Sequence, residues 1–354
     1  MRVPYPLAAP APAMEATTSE SQNGRPEPMI GRWPRRRVLT LAAAAVYIAV
    51  TVVVIVASKQ ILLSRDVVFA WVLVGLLVLS LNDMRSWFRG FVFDWLPFFA
   101  ILWVYDATRS LASHSPFPVH SALQIRIDKL IHNPIPTVWL QRHYYHPPHA
   151  ALHDYVAWIV YLTHFFATVL VAAYLWKWAY PKFRRWRTVV LWLSAAGMVT
   201  YVLYPALPPW LAAQKHQIPH VEQIVPQMFR HTNIQAIHSL AEKDFANKVA
   251  AVPSLHAAFP MMMLLFFWSS GWRARIFFGI YTLAMGTTLV YTAEHFVADI
   301  FLGWAYALGV WFAVSAFWRR QERRAAARVE REPLVEPPLV QPEATVLRQR
   351  SLHP

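Results

Sequence analysis

The sequence predicts an all-α integral membrane protein with about eight transmembrane helices. Of its 354 residues, 56% are hydrophobic and only 15% are charged, well below the roughly 25% charged residues of a soluble domain. The apolar residues also occur in long runs, and Val38–Ala57 contains no charge at all. A helix needs about 20 apolar residues to cross a bilayer, so this run alone predicts a membrane span.

Eight apolar runs can be assigned, separated by polar connections. They are Val38–Ala57, Val67–Leu81, Phe88–Tyr105, Tyr155–Trp176, Thr188–Tyr204, Ser254–Ser270, Ile276–Thr292 and Phe296–Phe317. We divide the chain into a disordered cytoplasmic tail (1–37), two N-terminal transmembrane helices (38–87), a main membrane domain (88–318) and a disordered basic, Pro-rich cytoplasmic tail (319–354). Two long polar segments, 106–153 and 205–252, lie within the main domain.

The distribution of basic residues predicts the orientation of the chain. The net charge is +14, and Lys and Arg cluster in the tails and in the short connections between apolar runs. With eight spans, all these clusters fall on one side, as the excess of basic residues in cytoplasmic loops requires. The two long polar segments then share the outer face. This pattern explains the charge without nucleic-acid binding, for which no basic-aromatic surface element is present.

Three ionisable residues lie at or inside apolar runs on the predicted outer face. His295 and Asp299 are four residues apart, so they share one helix face, and the carboxylate can orient the ring and leave the other nitrogen nucleophilic. Ser254 is a good N-cap for the helix that carries His256, and a helix N-terminus favours anions. Each feature alone also fits a self-satisfied polar pair or a capped helix in a bundle. Together they predict phosphoryl transfer through a phosphohistidine.

The motifs resemble the type 2 phosphatidic acid phosphatase superfamily, whose pattern is K-x6-R-P, then P-S-G-H, then S-R-x5-H-x3-D. This chain has P-S-L-H at 253–256 and H-x3-D at 295–299. The chain is most similar to the branch of fungal inositol phosphorylceramide synthases and their bacterial relatives, through the Tyr-Pro-x-x-Pro-Pro-Trp element at 204–210 and the segment 291–299. The resemblance covers roughly residues 90–317, and it implies that the last six helices form the bundle of that superfamily.

The resemblance implies roles for three residues. His295 would attack phosphorus, Asp299 would orient His295, and His256 would protonate the leaving oxygen. Ser254, as the N-cap of a helix start that favours anions, is predicted to help bind the phosphate. No metal and no cofactor is implied, and the partner is a lipid phosphate in the cell membrane. The acceptor, water or an alcohol such as a polyol or lipid hydroxyl, decides between phosphatase and transferase. The alternatives are a lipid or anion transporter that uses the same anion site, and a non-catalytic scaffold.

Two departures from the superfamily pattern concern the cations that hold phosphate. Thr288-Leu289 stand where Ser-Arg is expected, and Lys177 and Arg184 match K-x6-R but lie on the predicted cytoplasmic side. Arg109, which follows the third apolar run, is therefore our preferred candidate for phosphate binding. Arg142 and Arg126, further along the first outer segment, are candidates after it.

A metal site in the first outer segment is disfavoured. Its histidines have suitable spacing for ligands on one helix, but Pro147-Pro148 break that helix. They are His143, His146, His149 and His153.

Overall fold

A computed structural model describes residues 35–58, 60–62, 65–81, 83–100, 115–232, 235–237 and 249–331. These residues are helical apart from turns and two short parallel strands, β1 (Gln60–Leu62) and β2 (Gln235–Ile237). The helices are α1 Arg35–Ser58, α2 Arg65–Leu79, α3 Met84–Gly90, α4 Ala122–Ile131, α5 Pro136–Tyr144, α6 Leu152–Trp178, α7 Tyr180–Leu203, α8 Pro209–Gln214, α9 Ile224–Thr232, α10 Leu255–Phe266, α11 Trp272–Tyr291 and α12 Val297–Arg331.

Five of the described helices are long and apolar enough to cross a membrane, which makes the chain a multi-pass membrane protein. They contain Val38–Ala57, Leu152–Trp178, Tyr180–Leu203, Trp272–Tyr291 and Val297–Ala327, and they confirm five of the predicted spans. The structure does not show the full count of eight. Val67–Leu79 and Leu255–Phe266 are shorter apolar helices, and α3 passes into a π-helical segment, Phe91–Trp95, that continues as helix to residue 100.

The sixth predicted span is shorter than its apolar run because α10 ends at Phe266. The chain then forms a 3₁₀ turn, Trp268–Ser270. Gly271 follows with a positive φ of 107°, which only glycine adopts readily. This glycine lets the chain reverse into α11 without a longer connection.

The last helix is longer than the sequence predicts. The composition predicts a disordered tail from residue 319, but α12 continues to Arg331. Residues 319–331 are mostly Arg, Glu, Gln and Ala, which are among the best helix formers. The polar composition of residues 319–331 therefore does not end the helix. Residues 332–354, like residues 1–34, lie outside the described part of the chain.

Helix α10 is the central element of the bundle and packs most extensively against α11 and α12. Its Ala258 and Met262 are fully buried, as are Phe183, Trp186 and Leu193 of α7. The small side chain of Ala258 allows close approach, which is typical of helix contacts in membranes. By contrast, α1 is apolar and largely exposed, and it contacts mainly α2. The site lies where α10 and α12 begin.

Candidate active site

The first turn of α10 is held by Ser254, as its position before an apolar helix predicts. The Ser254 side chain accepts a hydrogen bond from the backbone N–H of Ala257 at 3.2 Å, and its backbone is extended. Tyr201 of α7 donates to the Pro253 carbonyl at 2.9 Å. The start of α10 is therefore fixed both by its own cap and by the neighbouring helix.

The starts of α10 and α12 are joined through their main chains. The Ser254 backbone N–H donates to the Asp299 carbonyl at 3.1 Å. One turn further along α12, a Cβ built on Gly303 would lie 2.3 Å from the Ser254 carbonyl oxygen. No side chain fits at that distance, so glycine at 303 allows the two helices to approach this closely.

His295 and Asp299 form the predicted buried pair. The His295 Nδ1 atom lies 3.5 Å from Asp299 Oδ2, and the two residues are only 5% and 1% exposed. Asp299 Oδ2 also accepts a hydrogen bond from the Phe296 N–H at 3.0 Å. Among the described residues, neither His295 Nδ1 nor Asp299 Oδ1 has a hydrogen-bond partner. The carboxylate thus faces Nδ1, and the opposite ring nitrogen, Nε2, is the one available to a substrate.

A strained turn presents His295 just ahead of α12. Ala293 has a φ of 63°, a left-handed conformation that is uncommon for a residue with a Cβ. Its carbonyl accepts a hydrogen bond from the Trp210 N–H at 3.2 Å. Trp210 ends the Pro-rich element at 204–210, so this second motif supports the turn that carries His295.

Glu294 adds a second carboxyl group to the same turn. It accepts a hydrogen bond from Gln223 at 3.1 Å. Burial raises the pKa of Glu294 to about 7, although this hydrogen bond and the neighbouring His295 act in the opposite direction. The Glu294 carboxyl group therefore titrates close to neutral pH beside His295.

His256 faces His295 across the site. The two ring centroids are 5.6 Å apart, and His256 is half-buried. On its other side, Tyr161 of α6 stacks on the ring at 5.3 Å, and the centroid of His164 lies only 3.8 Å away. His164 could not be predicted from the sequence, because a lone histidine in a long apolar run has no motif around it.

The amphipathic helix α4 packs against the start of α12. Asp128 is fully buried, and its two carboxylate oxygens accept hydrogen bonds from the N–H groups of Val297 and Ala298, each at 3.1 Å. Burial raises the pKa of Asp128 to about 6, and the charge of nearby Asp299 acts in the same direction. Asp128 therefore occupies the N-terminus of the helix that carries Asp299. This contact was missed because a single acid in an amphipathic helix suggests a surface position.

The Pro-rich element is hydrogen-bonded to the chain segments that precede α4 and α10. The His120 ring, just ahead of α4, stacks on Tyr204 with centroids 4.1 Å apart. Leu207 N–H donates to the His120 carbonyl at 2.9 Å, and Ala206 N–H donates to the Val249 carbonyl at 2.7 Å. The motif that resembles the fungal synthases therefore has a structural role beside the site.

Of the two arginines predicted to bind phosphate, the structure describes Arg142, and it does not belong to the buried cluster. Arg142 is exposed on α5, whose neighbouring Gln141 donates to the carbonyl of Tyr291 at 2.8 Å. Arg109 lies outside the described residues.

The K-x6-R match lies at the other end of the bundle. Lys177 donates to Ser80 at 3.0 Å, and the Arg184 guanidinium lies 5.8 Å from the centre of the Trp318 ring. Trp318 is about 30 Å along α12 from its start at Val297, at 1.5 Å per residue. These two basic residues are therefore remote from His295.

Comparisons with known proteins found one similar protein and one matching family. A phosphoinositol dihydroceramide synthase from Bacteroides thetaiotaomicron is 28% identical over 176 residues, which are 48% of this chain and 57% of that relative. The chain thus spans little more than half of the relative's length. No solved structure matches. The family profile described as the PAP2 superfamily matches residues 126–313, which include all three of His256, His295 and Asp299, and on this match over more than half of its length the chain belongs to the PAP2 superfamily.

Proposed function

We propose that this protein is a membrane phosphotransferase or phosphatase that acts on a lipid phosphate through a phosphohistidine at His295. The observation that carries the proposal is the buried pair in which Asp299 Oδ2 lies 3.5 Å from His295 Nδ1, with His256 across the site. Family membership supports the reaction class. The name of the bacterial relative supports transfer of a phosphoinositol headgroup to a ceramide-type hydroxyl.

The reaction has two steps in this arrangement. His295 Nε2 attacks phosphorus while the bond from phosphorus to the lipid oxygen breaks, and protonated His256 gives its proton to that oxygen. An acceptor hydroxyl then loses its proton to His256 and attacks phosphorus, which breaks the phosphorus–nitrogen bond and restores His295. Water as acceptor gives hydrolysis, and an alcohol gives transfer. Asp299 keeps Nδ1 protonated and so keeps Nε2 nucleophilic.

Phosphate binding is the part of the site that rests on several contributors. The start of α10, capped by Ser254, offers the positive end of a helix dipole. Arg109 and Arg142 are our candidates for the balancing cations, because arginine binds phosphate oxygens in a bidentate manner. Both belong to the segments that we assign to the same side of the membrane as His256.

We place the site at the outer face of the cell membrane, with both termini in the cytoplasm. The basic residues Arg319, Arg320, Arg323 and Arg324 lie in α12 at the end remote from His295. Lysine and arginine concentrate on the cytoplasmic side of membrane proteins. The end of the bundle that holds the site then faces outward.

The test is turnover by purified protein in lipid. Lipid phosphates and phosphoinositol lipids are supplied with and without an alcohol acceptor, and phosphate release and headgroup transfer are measured. We expect His295→Ala to lose at least about 10³-fold in kcat, since the nucleophile is absent. The exposed His143→Ala variant is the matched control and should keep full activity. Full activity of His295→Ala would refute the mechanism, and folded wild-type protein without any turnover would favour a transporter.

A further inference from the structure

Gln124 of α4 is a buried polar residue without a hydrogen-bond partner in the part of the chain that the structure describes. It is 3% exposed, and neither its amide oxygen nor its amide nitrogen has a hydrogen bond. Leaving a buried polar group unpaired costs about 1–3 kcal/mol. Buried amides are normally satisfied, so this one calls for a physical explanation.

Helix α4, which carries Gln124, is tied at both of its ends to the helix starts that form the site. At its beginning, His120 is tied through Leu207 and Ala206 to the chain just ahead of Ser254. At its end, Asp128 is tied to the first N–H groups of α12. Gln124 lies one helical turn before Asp128, and residues four apart share a face. Its amide is therefore on the inner face of α4, about one turn from the carboxylate that caps α12.

The charges around this position favour a neutral ligand group. Asp128, one turn away on the same face of α4, is acidic and fully buried. A phosphate oxygen beside it would add further negative charge. A hydroxyl group is uncharged and both donates and accepts, which matches the oxygen and the NH₂ of an amide.

We propose that Gln124 binds a hydroxyl group of the uncharged, polyol part of the substrate and so helps to select which lipid phosphate is used. This inference rests on the proposed function and adds the subsite next to the phosphate. The hydroxyl can belong to the headgroup of the donor lipid or to the acceptor alcohol. The two sources share one chemistry and can be separated by experiment.

The test uses Gln124→Met, which keeps the length of the side chain and removes its hydrogen bonds. Full-length protein in detergent is assayed with phosphatidylinositol, which has a polyol headgroup, and with phosphatidic acid, which has none. Thermal stabilisation by each lipid is followed alongside, because it reports binding without turnover. We expect affinity and kcat/KM for phosphatidylinositol to fall at least about tenfold more than for phosphatidic acid.

The sign of the stability change separates a binding role from a structural one. Without lipid, Gln124→Met should melt at the same or a higher temperature, since an unpaired polar group has been replaced by an apolar one. Ser194→Ala is the control, because Ser194 is also buried and unpaired but lies mid-helix in α7. It should leave the ratio between the two lipids unchanged.

If the bound hydroxyl belongs to the acceptor alcohol, Gln124→Met should reduce transfer to the alcohol relative to hydrolysis by water, with every donor lipid. Equal losses for both lipids, with unchanged partition between alcohol and water, would overturn the inference. So would a lower melting temperature without any change in selectivity. In both cases His295→Ala would still be inactive, so the proposed function would stand.

Discussion

Two buried aspartates at opposite ends of the bundle differ in how their oxygens are satisfied. Asp94, in the π-helical segment, accepts hydrogen bonds from Arg187 at 2.9 Å, Tyr180 at 3.0 Å and Trp176 at 3.1 Å. Asp299 accepts one from Phe296 at 3.0 Å, and its Oδ1 has none. The fold satisfies the Asp94 carboxylate with three hydrogen bonds, whereas Oδ1 of Asp299 can still accept one.

The comparison separates structural from functional polar groups better than burial does. Both residues are less than 10% exposed, so burial alone would rank them together. Beside Asp299, Nδ1 of His295 also has no hydrogen-bond partner among the described residues, and it lies 3.5 Å from the carboxylate. Unpaired buried groups are expensive, so this pair, unlike Asp94, is a candidate for function.

The largest effect is expected from exchanging each aspartate for asparagine. Asp299→Asn should lower kcat by roughly 10²–10⁴-fold, because an amide no longer selects the Nδ1–H tautomer of His295. Its free energy of unfolding should change by less than about 1 kcal/mol. Asp94→Asn should show the reverse pattern, with a stability loss of about 1–3 kcal/mol and activity within about threefold. Melting curves and steady-state kinetics on both variants check the contrast, and similar profiles would remove it.

A second effect concerns the contact between α10 and α12. Gly303→Ala should lower activity about 10- to 100-fold and reduce the melting temperature, because the new methyl group collides with the Ser254 carbonyl. Gly309→Ala in the same helix is a matched control, since nothing lies within 4 Å of its position. That control should be neutral or stabilise by up to about 1 kcal/mol. Equal behaviour of the two variants would contradict the close approach.

A smaller effect concerns pH and Asp128. The pKa of Asp128 is raised from 3.8 to about 6 in the folded protein, so the folded state holds its proton more strongly than the unfolded chain. Stability from this group is highest below about pH 4 and falls by on the order of 1–3 kcal/mol as the pH rises to about 6. Asp128→Asn removes this dependence. As the pH rises from about 4.5 to about 7.5, the melting temperature of wild-type protein should therefore fall relative to that of Asp128→Asn. A constant difference between the two melting temperatures would argue against a raised pKa.

The smallest effect is expected at the K-x6-R match. Lys177→Met and Arg184→Ala should change kcat/KM by less than about twofold, because both residues are at the end of the bundle remote from His295. A loss of tenfold or more in folded protein would mean that these residues bind phosphate after all.

Residues that belong to a short motif could be predicted from the sequence, whereas residues that contact a distant part of the chain could not. Ser254, His256, His295 and Asp299 were identified because their spacing has a direct physical meaning on a helix. Asp128 lies far from α12 in sequence, and nothing local indicates that its carboxylate caps another helix. The same holds for Gln124.

The fold shows the same division between local pattern and tertiary context. Five spans followed directly from apolar runs. The end of α10 at Phe266 and the continuation of α12 to Arg331 did not. The first depends on a turn inside an apolar run, and the second on helix-forming residues that are also polar.

The main-chain hydrogen bond between Ser254 and Asp299 affects which positions near the site can vary. Because a backbone N–H donates to a backbone carbonyl, exchanging either side chain leaves the donor and the acceptor in place. The close approach of α10 and α12 depends instead on residue 303, where a side chain would collide with the Ser254 carbonyl. The distance between the helix starts that carry His256 and His295 thus depends on a residue that takes no part in the chemistry.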